Sequence, residues 1–131
     1  MGVTGLGGIF FRANDPDELK SWYREMLGVG GGCGTDAAGE SSDWSWFPES
    51  AGPIVFEPFR RDSDYFAADK PLMLNFRVRD LDSLLEQLNA AGVAVTTNPD
   101  WDAPEMGRFA RIHDPEGNPI ELWEPPASDA D

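Results

Sequence analysis

The sequence has one cysteine, one histidine and no long apolar run, and each shortage excludes a class of protein or site. Cys33 has no partner for an internal disulfide, and the CxxC pairs of many zinc sites are excluded. The apolar run that begins at Gly7 stops at Arg12, far short of the roughly 20 residues that span a bilayer. The N-terminus shows no basic stretch followed by a long apolar segment, so we expect a cytoplasmic protein.

Basic residues are also scarce: 10 Lys and Arg stand against 24 Asp and Glu, for a formal net charge of −14. This charge repels phosphate backbones and anionic lipid surfaces, so we expect no nucleic-acid and no membrane partner. It is compatible with a cationic small ligand, although acidity also serves solubility alone.

Apolar residues are plentiful: 40% of the sequence is hydrophobic, with eight Phe and five Trp. This content is enough for the core of one domain of 131 residues.

Two halves of the sequence follow one plan. In the first half an extended run ends at Asp15, a helix-capping residue, which Pro16 follows at the first helical position, and Gly28 ends the helix. In the second half the extended run 73–78 leads into Asp80 in the same way. Both helices carry apolar residues at helical spacing: Leu19, Trp22, Tyr23 and Met26 in the first, Leu81, Leu84, Leu85 and Leu88 in the second. We infer an internal repeat of about half the chain.

Shorter strand-like pieces follow each helix. They cover 43–47 and 53–57 in the first half, and 93–96, 107–113 and 119–123 in the second. The residues 114–118 between the last two pieces have the Pro and Gly of a tight hairpin turn. Strand, helix and about three strands, written twice, predict an α+β fold of two βαβββ modules whose curved sheets surround a shared cleft. The predicted bounds are a single domain over 1–131, with module 1 at about 5–62, module 2 at about 70–125 and a tail at 126–131.

This plan resembles the paired modules of the glyoxalase, bleomycin-resistance and dioxygenase superfamily, also called vicinal oxygen chelate. Three motifs carry the resemblance over nearly the whole chain. They are the strand into Asp15 with Leu27–Gly28, the strand into Asp80 with Ala91–Gly92–Val93, and the turn and strand over 114–122. The resemblance implies a cleft that binds small molecules, and a homodimer.

In metal-dependent relatives the resemblance implies ligands on the first and last strands of each module. The first-strand positions fall on Gly8 and Met73, neither of which suits a hard divalent ion. The last-strand positions fall on Glu121 and, in the first half, on Glu57, although Glu57 also aligns with Glu124. We therefore expect no metal cofactor, while Glu57 and Glu121 are the ligands if a divalent metal binds.

The single histidine restricts the chemistry further. His113 directly precedes the hairpin turn, where we expect a surface side chain. The dioxygenase iron site needs two histidines and a carboxylate, so the chain excludes it, and ordinary glyoxalase I chemistry is disfavoured for the same reason.

Strand alternation selects the candidate pocket residues. One side of the two first strands carries Phe10, Arg12, Met73, Asn75 and Arg77. These side chains either line the cleft or fill a strand face near a dimer or module seam. Trp46 and Trp123 are candidates to stack on a flat organic molecule, although strand aromatics also serve as core.

Glu121 alternates in step with Trp123 and is predicted to face the cleft. There its carboxylate would act as a general base or hold a cationic group, or else it is a structural carboxylate bonded to a nearby arginine.

Two function classes follow, and whether the protein is an enzyme stays open. The first is a metal-independent binder of a small organic ligand, similar to bleomycin-resistance proteins. The second is a lyase or isomerase, similar to lactoylglutathione lyase, that uses a divalent metal or the Glu121 carboxylate next to a carbonyl. A structural or regulatory partner domain is a third alternative, which a wholly filled cleft would support.

Overall fold

The computed structural model describes residues 2–3, 5–49 and 52–126, so that only Pro126 of the predicted tail lies within the described residues. Those ranges contain two α-helices, one short 3-10 helix and three strands. In chain order they are α1 at Pro16–Leu27, β1 at Leu74–Arg77, α2 at Leu81–Ala90, the 3-10 helix at Pro99–Trp101, β2 at Arg108–His113 and β3 at Pro119–Glu124. None of the helices in these ranges is long and apolar enough to cross a membrane.

Both helices begin at the predicted capping aspartates. The Asp15 side chain accepts a hydrogen bond from the backbone N–H of Glu18 at 3.1 Å, and Asp80 accepts from Ser83 at 3.2 Å. The two caps have nearly the same backbone angles, with φ −129° and ψ 86° at Asp15 and φ −128° and ψ 87° at Asp80. Gly28 ends α1 in the left-handed conformation at φ 66°, as predicted. The internal repeat is therefore visible in the geometry of the helix starts.

A second carboxylate ties each helix start to the sheet. Glu116 accepts from the backbone N–H groups of Asn14 at 2.6 Å and Asp15 at 2.9 Å. Glu124 accepts from the N–H of Leu81 at 2.8 Å. Carboxylates are favourable at these positions because they satisfy free N–H groups and oppose the positive end of the helix dipole.

The three strands form one mixed sheet in the order β1-β3-β2, with β1 parallel and β2 antiparallel to β3. Alternation separates its two faces. One face packs on both helices and forms the core, whose buried members are Leu19, Tyr23, Leu74, Leu81, Leu88, Ala110, Ile112, Ile120 and Leu122. The other face carries charged and aromatic residues, which makes it the candidate for function.

The predicted hairpin turn joins β2 to β3 and contains a buried carboxylate. Asp114 is 4% exposed and accepts from the N–H of Glu116 at 2.9 Å, and from the N–H and side-chain amide of Asn118 at 3.0 and 2.8 Å. It also accepts from the Tyr23 hydroxyl of α1 at 2.7 Å. Burial and the neighbouring Asp114 raise the pKa of Tyr23 well above its usual range. Gly117 supplies the left-handed position that the turn requires, at φ 81°.

The first half differs from the prediction. Within the described ranges, the segments 8–13, 43–47 and 53–57 are not hydrogen-bonded strands, and the predicted strand 93–96 contributes one bridge, from Thr96 to β2. The physical reason is that a strand needs a neighbour for its backbone ladder, and no strand of the described chain lies beside these segments. The fold shown is a small α+β domain with one mixed sheet, and the two-module βαβββ arrangement stays a prediction.

We expect Asp114→Ala to lower the free energy of unfolding by about 2–4 kcal/mol, because it leaves several buried donors without an acceptor. Tyr23→Phe removes one of those donors and is the matched control, with an expected loss of about 1 kcal/mol. Urea unfolding followed by circular dichroism measures both. Equal losses in the two variants would show that Asp114 stabilises the fold through its bond to Tyr23 and not through the bonds within the turn.

Candidate functional site

The candidate site lies on the sheet face that points away from the helices. The strand register places Asn75 of β1, Glu121 of β3 and Arg111 of β2 side by side at one level of the sheet. Side chains directly opposite each other on neighbouring strands are about 5 Å apart at Cβ, so these three groups are immediate neighbours. We call this surface the cleft face, and its members are Asn75, Arg77, Phe109, Arg111, Glu121 and Trp123.

Glu121 is a buried carboxylate held by neutral donors. Its residue is 7% exposed. One oxygen accepts from the side-chain amide of Asn75 at 2.7 Å, and the other accepts a short hydrogen bond from the Tyr65 hydroxyl. No Lys or Arg of the described chain forms an ion pair with it. The partners of this carboxylate are therefore an amide and a phenol rather than an arginine.

Arg111 lies beside Glu121 and is buried to a similar extent, at 8% exposed. Its Nη1 donates to the backbone oxygen of Tyr65 at 3.1 Å, and its guanidinium carbon lies 4.9 Å from the Tyr65 ring centre and 5.6 Å from that of Trp101. Its Nε and Nη2 are buried and have no hydrogen-bond acceptor among the described residues. Buried donors without acceptors are costly, so this arginine is held in place at the expense of stability.

The next level of the cleft face is a stack of flat groups. The Arg77 guanidinium carbon lies 5.0 Å from the Trp123 ring centre. Trp123 and Phe109 stack with ring centres 6.3 Å apart and an interplanar angle of 6°. The Trp123 indole N–H donates to the backbone oxygen of Met106 at 2.7 Å, and Arg77 donates to that of Pro53 at 2.6 Å. Backbone hydrogen bonds on both sides thus set the orientation of the stack.

The charge of the cleft face is opposite to that of the whole chain. The face contains two arginines and one glutamate, whereas the whole sequence has a formal net charge of −14. Buried charges are screened less than exposed ones, so Arg111 and Glu121 act strongly on groups beside them, and the half-buried Arg77 gives the face its excess positive charge. The acidic composition therefore does not describe the surface that a ligand would meet here.

Tyr65 couples to both buried charges. Burial of its phenol raises its pKa, the hydrogen bond to Glu121 and the carboxylate charge raise it further, and Arg111 opposes them in part, for a result of about 12. At neutral pH the phenol therefore keeps its proton and donates a hydrogen bond to Glu121. Tyr65 covers the carboxylate in the single chain.

Four of the predicted site residues come together. Asn75, Arg77, Glu121 and Trp123 all lie on the cleft face, as the alternation predicts. Met73 is half-buried just before β1.

The other predicted site residues are not brought to this face. Phe10 is 84% exposed and Arg12 is exposed, both on the first-half segment without strand partners. Trp46 packs edge-on against Phe76 at 5.9 Å, and Phe76 also contacts Tyr23 on the helix side of the sheet. His113 is exposed, in agreement with its predicted surface position.

Sequence reasoning overlooked Arg111, Tyr65 and Trp101 as site residues. A signal for Arg111 was available, because a tight turn that pairs His113 with Pro119 also pairs Arg111 with Glu121. Tyr65 had no such signal, since it lies in an irregular segment. Trp101 lies at the end of the 3-10 helix, outside the strands whose alternation selected the candidate residues.

The four positions where the resemblance implies metal ligands do not suit a metal. Gly8 has no side chain, and Met73 offers a thioether. Glu57 is exposed, and both oxygens of Glu121 accept hydrogen bonds. In the described part of the chain no three His, Cys, Asp or Glu side chains are grouped so that they could hold a metal ion. Metal independence stays a prediction.

Two surface depressions lie away from the buried charges. One of about 420 Å³ lies between the 102–108 loop and the end of β3, and one of about 470 Å³ lies at the start of α1. Neither is lined by Glu121 or Arg111. Beside those two side chains the rings of Tyr65 and Trp101 occupy the space.

Comparison with known proteins identifies the family of the chain. A family model described as a glyoxalase-like domain matches residues 8–123. The chain belongs to this family. The predicted resemblance of the chain to the glyoxalase, bleomycin-resistance and dioxygenase superfamily is confirmed. A search of curated proteins finds no match.

Three solved structures resemble the domain over nearly its whole length. An antibiotic-binding protein, TnmS3 from Streptomyces sp. CB03234, is 25% identical with a TM-score of 0.55, over 95% of this chain and 98% of that one. A superfamily member from Sphaerobacter thermophilus DSM 20745 is 18% identical with a TM-score of 0.58, over 95% and 99%. A third, from Frankia sp. EAN1pec, is 22% identical with a TM-score of 0.52, over 95% and 99%. The last two show a shared fold.

We expect Glu121→Gln to lower the pKa of the Tyr65 phenol from about 12 toward its ordinary value of 10.0, because the carboxylate charge no longer opposes ionisation. Ultraviolet absorbance titration in a Tyr23→Phe background isolates this phenol, since the chain has two tyrosines.

The same shift has a stability consequence. Folding favours the neutral Tyr65 phenol, so its contribution is complete below pH 10 and is lost as the pH rises toward 12. Tyr65→Phe has no ionisable phenol at this position, so this loss of stability between pH 10 and 12 should be absent, and the variant is the control.

For the titration, an unchanged pKa of Tyr65 in the Glu121→Gln variant would show that the carboxylate does not act on the phenol.

Proposed function

We propose that this glyoxalase-like domain binds a small organic ligand at its cleft face, without a metal. One observation carries the proposal: Glu121 and Arg111 are 7% and 8% exposed, side by side, and not paired with each other. Burial of unpaired charge opposes folding, and groups of this kind concentrate at functional sites. The hydrophobic core lies on the other face of the sheet and contains neither residue.

Flat aromatic groups surround the two charges and support a planar ligand. Tyr65 and Trp101 lie on one side, with ring centres 6.2 Å apart, and the Trp123 and Phe109 stack lies at the next level. Ligand sites commonly combine aromatic walls with a few polar groups that orient the ligand. The likeness to an antibiotic-binding protein at 25% identity over 95% of this chain also supports a small organic ligand.

The alternative is a lyase or isomerase in which Glu121 removes a proton next to a carbonyl. A buried carboxylate beside a phenol favours it. Against it, the carboxylate is 7% exposed and Tyr65 bonds to one of its oxygens, so Tyr65 must move before a substrate can reach it. Asn75, which bonds to Glu121, is exposed, so the cleft face meets solvent at this edge although Tyr65 and Trp101 cover the buried charges.

A homodimer is part of the proposal. The first half exposes a set of apolar side chains, comprising Ile9 at 52%, Phe10 at 84%, Ile54 at 65%, Val55 at 74% and Phe56 at 86%. These residues lie on segments without strand partners, and extended chain of this kind is a template for pairing with another copy. In the proposed dimer a second copy covers them and completes the first module. The cytoplasmic location stays a prediction from the sequence.

We expect the planar probe naphthol to bind the chelator-treated protein, and Trp123→Ala to weaken binding about tenfold by removal of a stacking surface. Trp44→Ala is the matched control, since Trp44 is 82% exposed and lies outside the cleft face. Isothermal calorimetry measures both affinities. Equal losses in the two variants would place the binding elsewhere.

The same protein tests metal independence. We expect Zn²⁺, Ni²⁺ and Mn²⁺ to bind more weakly than about 10 μM and to leave the naphthol affinity unchanged. Tighter stoichiometric binding that both Glu57→Gln and Glu121→Gln abolish would support the metal-enzyme alternative instead.

For the dimer, we expect twice the chain mass by light scattering at micromolar concentration, and dissociation on Phe56→Asp, since a buried carboxylate without a partner is costly at an interface. Met106→Asp is the control because Met106 is 54% exposed in the second half. A wild-type chain that runs as a monomer would contradict the dimer but not the ligand.

A further inference from the structure

The Arg111 guanidinium is an incomplete binding group. It is 8% exposed, and its Nε and Nη2 are buried without an acceptor in the residues that the structure describes. An arginine presents its donors in one plane and is suited to a carbonyl or carboxylate oxygen. The adjacent Glu121 is an acceptor, so the site offers two donors beside an acceptor.

Tyr65 has the features expected of a substitute for a ligand at this position. Its hydroxyl donates to Glu121, its ring lies 4.9 Å from the guanidinium carbon of Arg111, and its backbone oxygen accepts from Nη1 at 3.1 Å. What it lacks is an acceptor for the other two nitrogens of Arg111. The Tyr65 phenol therefore bonds to Glu121 but leaves two Arg111 nitrogens without an acceptor.

The segment that carries Tyr65 is suited to displacement. Residues 59–70 contain neither helix nor strand, and the backbone N–H of Tyr65 is bonded to the neighbouring Ser63 side chain at 3.2 Å. An irregular segment opens at a lower free energy than the strands beneath it. Displacement of Tyr65 exposes Glu121 and Arg111 together.

We propose that Glu121 and Arg111 together recognise a planar aromatic ligand with a hydroxyl next to a carbonyl or carboxylate oxygen, and that this ligand takes the place of Tyr65. The inference rests on the proposed function and names the ligand class of the same site. The ligand hydroxyl donates to Glu121 as the phenol does, and the neighbouring oxygen accepts from Nε and Nη2 of Arg111. The ring lies at the edge of the guanidinium, in its plane, and beside Trp101.

The inference also predicts the sign of the ligand charge. With two arginines and one glutamate, the cleft face favours an anionic or neutral ligand over a cationic one, although the net charge of the chain is −14. Composition and site therefore give opposite expectations, and a matched pair of probes separates them.

The test uses three single-ring probes close to the size of the Tyr65 side chain: salicylate, which has both the hydroxyl and the carboxylate, phenol, which lacks the acceptor, and benzylamine, which is cationic. Nuclear magnetic resonance titration of the full chain gives the affinities. We expect salicylate to bind at least about tenfold more tightly than benzylamine, and Arg111→Met to remove about tenfold of salicylate affinity while phenol affinity stays unchanged.

A second variant does not depend on Arg111. Tyr65→Ala removes the group to be displaced, so salicylate affinity should rise about fivefold or more. Tyr23→Phe changes the other tyrosine of the chain, away from the cleft face, and should leave it unchanged.

Two results would overturn the inference and leave the proposed function in place. One is that benzylamine binds as tightly as salicylate. The other is that neither Arg111→Met nor Tyr65→Ala changes the salicylate affinity. A different result would overturn both the inference and the proposed function. It is that none of the three probes binds with a dissociation constant below about 10 mM, even to Tyr65→Ala, and that naphthol also fails to bind.

Discussion

The pairing of β2 with β3 through the Asp114 turn is the constraint on which the rest of the domain depends. Asp114 accepts four hydrogen bonds, one of them from Tyr23 of α1, and this holds the turn in a single geometry. The turn sets the register of the two strands, and a shift of one residue would move every side chain to the other face. Glu116 and Glu124 of the same hairpin also bind the starts of the two helices.

That register separates stability from binding. Ile112, Ile120 and Leu122 are completely buried on the helix side, where they form the core. On the other side, the same strands hold Arg111 and Glu121 in place while the irregular parts of the chain cover them. A rigid sheet can retain two costly buried charges because the core on its opposite face does not depend on them. The local charge of the site can therefore differ in sign from the charge of the whole chain.

The extended segments of the first half have no strand to pair with in a single copy of the described chain. The helix of this half nevertheless repeats that of the second half down to the angles of the capping aspartates. Helix starts depend on a few neighbouring residues, whereas a strand is stable only with a second strand. The exposed Phe10 and Phe56 lie on these unpaired segments, which links the incomplete sheet to the proposed dimer.

Local patterns in the sequence determined both helices with their caps, the hairpin turn, and the alternation that places Asn75, Arg77, Glu121 and Trp123 on one face. These features follow from the periods of helix and strand and from turn chemistry, which involve residues close in sequence. Only the tertiary structure decided which strands pair, and it brought Tyr65 to Glu121 across 56 residues. Contacts of that length depend on how whole elements pack, and an irregular segment has no period from which its position could be predicted.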